Sequence, residues 1–462
     1  MHIRKYDFDY GRRLLLQKAA VGATAGVLAP LWPTIARSAD NIGKVYPDEL
    51  LHIEAYTKGK VKPGDVLTAD NVDAVKDLLD PVAYKQVKEM GRKINIVAST
   101  TDVTKLFSHD YLEATLKNKG RAIVGTDGNI YDKTEGTPWI GGSPFPEAKD
   151  GIEATANLTL SWGRHDFSQY AVRDHDISPA GDIAYQYDFI WTELQTNARL
   201  DGKIWNDKKD LLRYQSVFFT SPQDTAGTAY LNTWSYDQRK FPELKGYLPA
   251  FRRVRDFPTN QRFEPLVSGV TIFLSDAWAA GDPMQTWGNY KIVERKPMLA
   301  AIGGRNFMGG YNDNWEPPVH GGPKGLTFSD TYMELVPEAL VVDAEPTGYP
   351  RAPVGKKRTW IDVRNGMYIA YNTYDRRGEI WKSFEPHYSL YSNDKMTVKD
   401  AKGNPIWSWV SVLCHDVQAN RMSRFYQARQ VAGGYKSGWD EAGQDVYNKF
   451  LTVQALQRLG SA

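Results

Sequence analysis

A single cysteine in 462 residues is the sharpest shortage in this sequence. Cys414 alone rules out an intrachain disulfide, so even in an oxidising compartment the fold rests on its core, which a chain this long supplies. Within Ser411-Val412-Leu413-Cys414 it reads as a small buried hydrophobe, not a nucleophile. Net charge is also scarce. The whole chain holds 57 Lys/Arg against 55 Asp/Glu, and the first 39 residues alone hold six basic and two acidic residues. The remainder has a formal charge of −2, which excludes the positive field of a nucleic-acid partner. Beyond residue 39 no stretch approaches the length of a transmembrane helix, so the mature chain is expected to lack one. There is no Gly-x-Ser-x-Gly elbow, no Cys-x-x-Cys and no P-loop. No cofactor and no catalytic residue is indicated.

The N-terminus is the most informative part of what the chain has. Arg12-Arg13 precedes Leu14-Leu15-Leu16 and a weakly apolar, Ala/Gly-rich stretch from about Ala19 to Trp32. A basic region, a short apolar region and small residues near Ala36-Arg37-Ser38-Ala39 describe a secretory leader, and the arginine pair points to the twin-arginine route. Gly22, Gly26, Pro30 and Pro33 interrupt the stretch and argue against a membrane anchor. No cysteine lies near the exit, so the mature chain is expected to be free in the periplasm, a compartment without ATP or NADH.

Residues 40–118 read as a helical segment. Thr68-Ala69-Asp70 caps an amphipathic run through Leu79, a second helix spans Val82 to Met90, and a third covers Thr101 to Lys117. From residue 119 onward the sequence reads as β structure. Fourteen Trp, 26 Tyr and 17 Phe, with 39 Gly and 25 Pro, suit strands joined by tight turns. Strands are expected over Ile183–Leu194, Leu211–Thr220, Ala229–Tyr236 and Val270–Leu274. Thr359–Arg364, Asn365-Gly366 and Met367–Tyr371 form a hairpin, which Asp375–Gly378 extends into a meander with Glu379–Phe384. Residues 301–356 are rich in Gly-Gly and Pro-Pro and read as one long loop. A short helix, Tyr447 to Leu459, closes the chain.

Few residues offer chemistry. Among the eight histidines, the dense cluster is Arg164-His165-Asp166 with Arg173-Asp174-His175-Asp176, whose residue types suit zinc or non-haem iron. On one strand His165 and His175 would stand far apart, and a solvated loop is the plainer reading, so no metal is assigned. Aromatics are the more consistent signal. Phe273, Trp278, Trp287, Tyr290, Trp360, Tyr368, Tyr371 and Trp381 are the candidate ligand-binding residues, on a curved antiparallel sheet able to enclose an apolar cavity. An ordinary packed core is the competing reading. Arg252, Arg253 and Arg255, with Asp276, are candidates for contact with a headgroup or a partner; Arg253 and Arg255 share one strand face.

Four phrases, in order, resemble one family. Tyr247-Leu248-Pro249-Ala250-Phe251-Arg252-Arg253-Val254-Arg255 is similar to the signature of the domain-of-unknown-function 1329 family, exported proteins described as outer-membrane lipoprotein-sorting-like. Tyr374-Asp375-Arg376-Arg377-Gly378-Glu379-Ile380-Trp381, preceded by Thr359-Trp360-Ile361-Asp362, resembles its aromatic hairpin. Gly128-Asn129-Ile130 with Pro138-Trp139-Ile140-Gly141-Gly142 resembles its N-terminal turn, and His415-Asp416-Val417-Gln418-Ala419-Asn420-Arg421 its closing strand. The chain departs at Ser275–Gly281, where the family carries acidic residues and a Phe-x-Gly phrase; Asp276 is the one match. The Asp-Gly turn also lacks the family's following proline.

The resemblance implies a mainly β fold, α+β in class: a strongly curved antiparallel half-barrel like the lipoprotein carriers, with helices at its mouth. It implies binding or transfer of a hydrophobic molecule, beside an outer-membrane protein and a resistance-nodulation-type exporter. It carries no catalytic residues. Two rival readings stay open: a periplasmic enzyme with metal at His165 and His175, and a structural adaptor of an outer-membrane complex.

Overall fold

The structure, a computed structural model, describes residues 46, 48–160, 163–258, 262–276, 282–440 and 443–461. The expected leader and Trp278 lie outside the described residues.

Strands carry the architecture. In chain order they are β1 (Val66–Leu67), β2 (Ile94–Ile96), β3 (Ala122–Val124), β4 (Ile130–Asp132), β5 (Phe167–Ile177), β6 (Ile183–Gln195), β7 (Leu211–Ser221), β8 (Ala229–Ser235), β9 (Glu243–Leu248) and β10 (Arg253–Phe257). The second half adds β11 (Gly288–Ala300), β12 (Val319–His320), β13 (Phe328–Ser329), β14 (Tyr332–Glu345), β15 (Val354–Asp362), β16 (Tyr368–Asp375), β17 (Ile380–Leu390), β18 (Trp407–Asp416) and β19 (Arg421–Ala428).

Fifteen strands form one sheet in the order β1-β2-β14-β15-β16-β17-β18-β19-β5-β6-β7-β8-β9-β10, with β11 also against β14. Its pairings are antiparallel except that of β2 with β14. Two meanders, β5 to β10 and β14 to β19, join where β19 pairs with β5, from Met422 opposite Ile177 to Ala428 opposite Ala171. Register shifts recur between β5 and β6, β6 and β7, β7 and β8, and along β15 to β18. Each such irregularity bends its strand and adds local twist, and the sheet is strongly curved. The fold is mainly β, as the aromatic and β-branched runs imply.

Helices pack on both faces of the sheet. They are α1 (Ile53–Thr57), α2 (Pro81–Glu89), α3 (His109–Asn118), α4 (Gly151–Thr159), α5 (Gly443–Phe450) and α6 (Val453–Ser461). α3 and α4 join the main core through Tyr111, Leu112, Ala154 and Leu158. Asp80 starts α2 by accepting the Val82 and Ala83 amides at 2.9 Å each, with Pro81 preorganised in the first turn. Val72, Val75, Ala83 and Val87 of the N-terminal segment pack on Leu299, Met333 and Leu335 of β11 and β14. At the other end Val446, Phe450, Leu451 and Leu456 cover the outer face of β5 to β9.

Five sequence expectations change. The amphipathic run from Val72 to Leu78 is a 3-10 helix, and the closing helix is two, α5 and α6. The long loop of 301–356 contains β14, a strand of 14 residues. Pro337 there, and Pro297 opposite in β11, sit where the register shifts between Lys296 and Met298, so neither ring has to supply a ladder hydrogen bond. Val270–Leu274 is not a strand; its neighbourhood holds one isolated bridge, Pro265 with Phe273. Finally, the Asn365-Gly366 hairpin turns through Val363–Gly366, with Gly366 at φ 70° and its amide donating to the Asp362 carbonyl.

Candidate functional site

Strand alternation builds the site. β7 is buried along most of its length because both of its faces are covered. Tyr214 and Phe218 pack outward beneath the C-terminal helices. Arg213, Gln215, Val217 and Phe219 point to the concave side and line a cavity of about 80 Å³. Cross-strand register sets its composition: Phe189 lies opposite Phe219, and Trp191 opposite Val217, while Gln215 faces Asn232 and Arg213 faces Trp234. Phe425 of β19 joins the apolar end. The cavity therefore grades along the strands from aromatic and aliphatic walls to a short polar end.

Residues 262–276 roof this cavity. Leu266, Val267, Val270, Ile272 and Leu274 line its upper wall and pack against the main core. The roof has no ladder of its own, so side chains from the sheet hold its backbone. Tyr187 donates to the Ser268 carbonyl at 2.8 Å, and Tyr230 to that of Leu266 at 3.2 Å. The Thr271 amide donates to Ser423 Oγ at 2.9 Å. Gly269, at φ 87°, lets the roof touch the sheet: a Cβ there would come within 2.3 Å of the Tyr185 ring.

Two buried lysines act as latches. Lys382 donates to the Thr271 carbonyl at 2.5 Å and pairs with Asp276 at 3.1 Å, both side chains being almost fully enclosed. Lys357 donates to the Ser275 carbonyl at 3.0 Å and lies 4.4 Å from the centre of the Trp287 ring; burial pushes its ammonium pKa down. Tyr371 donates to the Asp276 carbonyl, and Arg262 pairs with Asp282. Buried lysines survive only where such partners compensate for lost water.

Beside the roof, Asp174 and Asp176 lie on the same strand face. Asp176 accepts from Ser423, whereas neither carboxyl oxygen of Asp174 has a hydrogen-bond partner within the protein. Burial pushes the pKa of Asp174 well up, with the neighbouring Asp176 adding to the effect, and burial raises that of Asp176 as well.

The aromatic candidates divide. Phe273 lines the cavity, and Trp381 meets it edge to face at 5.7 Å while donating to Asp416 at 3.2 Å. Trp287 and Tyr290 border a separate recess of about 30 Å³; their polar atoms are taken up by Asp282 at 2.8 Å and the Met284 carbonyl at 2.6 Å. Trp360, Tyr368 and Tyr371 are packed in the core, with Tyr371 stacked on Phe384 at 4.1 Å. The cavity walls that sequence reasoning missed are Phe189, Trp191, Val217, Phe219 and Phe425. For those on β6 and β7 the signal was the apolar alternation within strands that were foreseen; β19, which carries Phe425, was not.

The charged candidates divide too. Arg252 sits in the turn before β10 at φ 49°, and Arg253 and Arg255 are exposed on the edge strand. The Arg255 guanidinium lies 4.8 Å from the centre of the exposed Phe251 ring. Asp276 is 1 % exposed and is engaged by Lys382.

The histidine cluster is not a solvated loop. His175 lies within β5, stacked on Tyr426 at 6.3 Å, and His165 Nε2 is 3.1 Å from the Trp407 carbonyl. Burial lowers both to about 4, leaving them neutral. Among the described residues, the group with metal-compatible convergence is His109, Asp110 and Glu113 at the surface of α3, and it contains neither of them. Among the described residues, no helix is long and apolar enough to cross a membrane.

Comparison with known proteins places these features in a family. No curated relative matches the sequence. Among solved structures, a DUF1329 family protein from Desulfovibrio piger shares 12% identity, with a TM-score of 0.42 over 65% of this chain and 97% of that one. A domain from Vibrio parahaemolyticus named for outer membrane lipoprotein sorting shares 14%, with a TM-score of 0.40 over 64% and 92%. A LolA superfamily protein from Nitrosomonas europaea shares 12%, with a TM-score of 0.34 over 65% and 98%. Residues 66–457 match the family described as "Protein of unknown function (DUF1329)", and the chain belongs to that family.

Proposed function

We propose that this protein binds a hydrophobic, lipid-like molecule under the 262–276 roof and transfers it through the periplasm. In this reading it arrives folded by the twin-arginine route and works beside an outer-membrane protein and a resistance-nodulation-type exporter. One observation carries the reading: an apolar cavity on a curved sheet, closed by a segment that side-chain latches hold without a β-ladder of its own.

Size gives the mechanism. A cavity of about 150 Å³ holds one benzene, so in this reading the 80 Å³ cavity is the closed form and must widen to take cargo. A lipid chain enters only as Leu266, Val267, Val270, Ile272 and Leu274 withdraw, exchanging roof side chains for ligand against the same walls. Ten methylenes left in water would cost about 8 kcal/mol; the exchange avoids that cost without covalent chemistry. The charged groups at the roof are already paired, Arg262 with Asp282 and Lys382 with Asp276, which suits holding and not reacting. Exposed Arg253 and Arg255 on the edge strand supply a docking face for acidic headgroups or a partner's carboxylates.

Titration with the apolar fluorophore N-phenylnaphthylamine tests this. Saturable binding to the wild type, lost in Phe219→Asp with the fold retained by circular dichroism, is the expected result. Saturable binding that Phe219→Asp leaves intact would place any ligand elsewhere and defeat the proposal.

A further inference from the structure

The polar end of the cavity specifies what kind of head the ligand carries, an inference that rests on the carrier reading above. Arg213, Gln215, Asn232 and Trp234 line that end, and all are nine-tenths or more buried. Arg213 is fixed in place: its Nη1 donates to the Thr159 carbonyl at 2.9 Å, and its guanidinium lies 4.3 Å from the centre of the Trp234 ring. Its charge is already balanced. Glu193 Oε1 stands 3.7 Å from Arg213 Nε and accepts from Gln215 Nε2 at 3.1 Å. Three polar atoms remain without a hydrogen bond inside the protein: Arg213 Nε, Trp234 Nε1 and Asn232 Oδ1.

Two donors and one acceptor at the end of an apolar cavity discriminate among heads. A carboxylate would satisfy the donors but would add a second negative charge beside Glu193 and meet the Asn232 oxygen, at low local dielectric. An ammonium would face Arg213. An alkane would leave all three atoms unpaired, the situation a polar site rejects most strongly. A hydroxyl fits both requirements, donating to Asn232 Oδ1 while accepting from Trp234 Nε1 or Arg213 Nε. We propose that the ligand is an uncharged amphiphile whose hydroxyl head binds at Arg213, Asn232 and Trp234, with its apolar body running toward Phe189, Phe219 and Phe425.

Displacement of N-phenylnaphthylamine from the full mature chain by 1-dodecanol, dodecanoate and dodecane tests this. Dodecanol should compete at least about tenfold better than either of the others, the equivalent of one net hydrogen bond. Asn232→Leu should bring dodecanol down to the level of dodecane without weakening dodecane. Glu193→Gln, which leaves Arg213 uncompensated, should raise dodecanoate relative to dodecanol, and it carries the test if Asn232→Leu does not fold. Dodecanoate matching or beating dodecanol in the wild type would overturn the proposal. Equal displacement by all three would also overturn it while leaving the carrier reading standing, whereas no saturable binding of fluorophore or chains would remove both.

Discussion

Lys382→Met should release the roof without unfolding the sheet. The lysine is 2 % exposed in its side chain and its partner Asp276 1 %; it also bonds the Thr271 carbonyl at 2.5 Å. Methionine fills similar space but leaves Asp276 buried without its cation, its carboxylate still accepting from the Phe273 amide at 3.1 Å. Breaking a buried pair by removing one partner costs about 3–5 kcal/mol. The broken contacts all join the sheet to residues 271–276, so the cost should appear as roof opening. At about 1.4 kcal/mol per tenfold, the open population should rise by roughly 10² to a few times 10³. Hydrogen exchange reads this at the Thr271 and Phe273 amides, whose acceptors are Ser423 Oγ and Asp276. Their protection should fall by that factor while β6 and β7 amides keep theirs. Adding Asp276→Leu should restore much of it at Thr271, because removing both partners spares the penalty of a lone buried charge, but not at Phe273, whose amide loses its acceptor. Unchanged exchange at Thr271 and Phe273 in Lys382→Met, or equal loss throughout the sheet, would refute the latch.

Other consequences follow from the same geometry. Val217→Phe fills the floor of the cavity and should abolish N-phenylnaphthylamine binding, with an overpacking cost of about 1–3 kcal/mol seen in thermal melts. Asp174 and Asp176 hold protons more tightly folded than unfolded, since burial raises both. Their contribution to stability is therefore complete below the unfolded carboxyl pKa of about 3.9 and is lost as pH rises through the raised folded values, about 7 for Asp176. Asp174→Asn, which cannot ionise, should melt with a flatter pH dependence across that window and be more stable than wild type above it; an identical slope would contradict the assignment. Exhaustive chelation should leave melting temperature and bound ligand unchanged, whereas stoichiometric zinc or iron lost on His165→Ala would favour the enzyme reading.

Local chemistry made much of the fold legible. β6, β7 and β8 lie within a residue or so of the expected strands because β-branched and aromatic residues run continuously there. α2, expected over Val82–Met90, runs Pro81–Glu89, with the Asp80 cap and Pro81 setting a start one residue earlier. β14 was not, because Pro337 and the surrounding Gly and Pro residues mimic a loop, and only the register shift opposite Pro297 shows how a proline fits. The reverse error occurred at Val270–Leu274: five good β-formers whose backbone is claimed by Ser423, Lys382 and Asp276 instead of a neighbouring strand.

The site was harder to read than the fold. Aromatic excess pointed to an apolar sheet surface, but with both faces of β7 covered, alternation alone could not tell the outward Tyr214 and Phe218 from the cavity-lining Val217 and Phe219. Trp360 and Tyr368 were attractive for the same reason; they share the core cluster with the cavity walls but do not line the cavity. Lys357 and Lys382 escaped notice because a lone strand lysine normally faces water. Their burial depends on carbonyls from a segment about a hundred residues earlier, contacts that no local pattern encodes.

The central claim is that the cavity under the roof carries a hydrophobic cargo. Native mass spectrometry of the protein purified from its native host, followed by organic extraction, tests it most directly. The account predicts a co-purifying uncharged amphiphile, one per chain, that is lost from Phe219→Asp. A protein that is empty in every preparation, or one whose bound molecule persists in that variant, would contradict it.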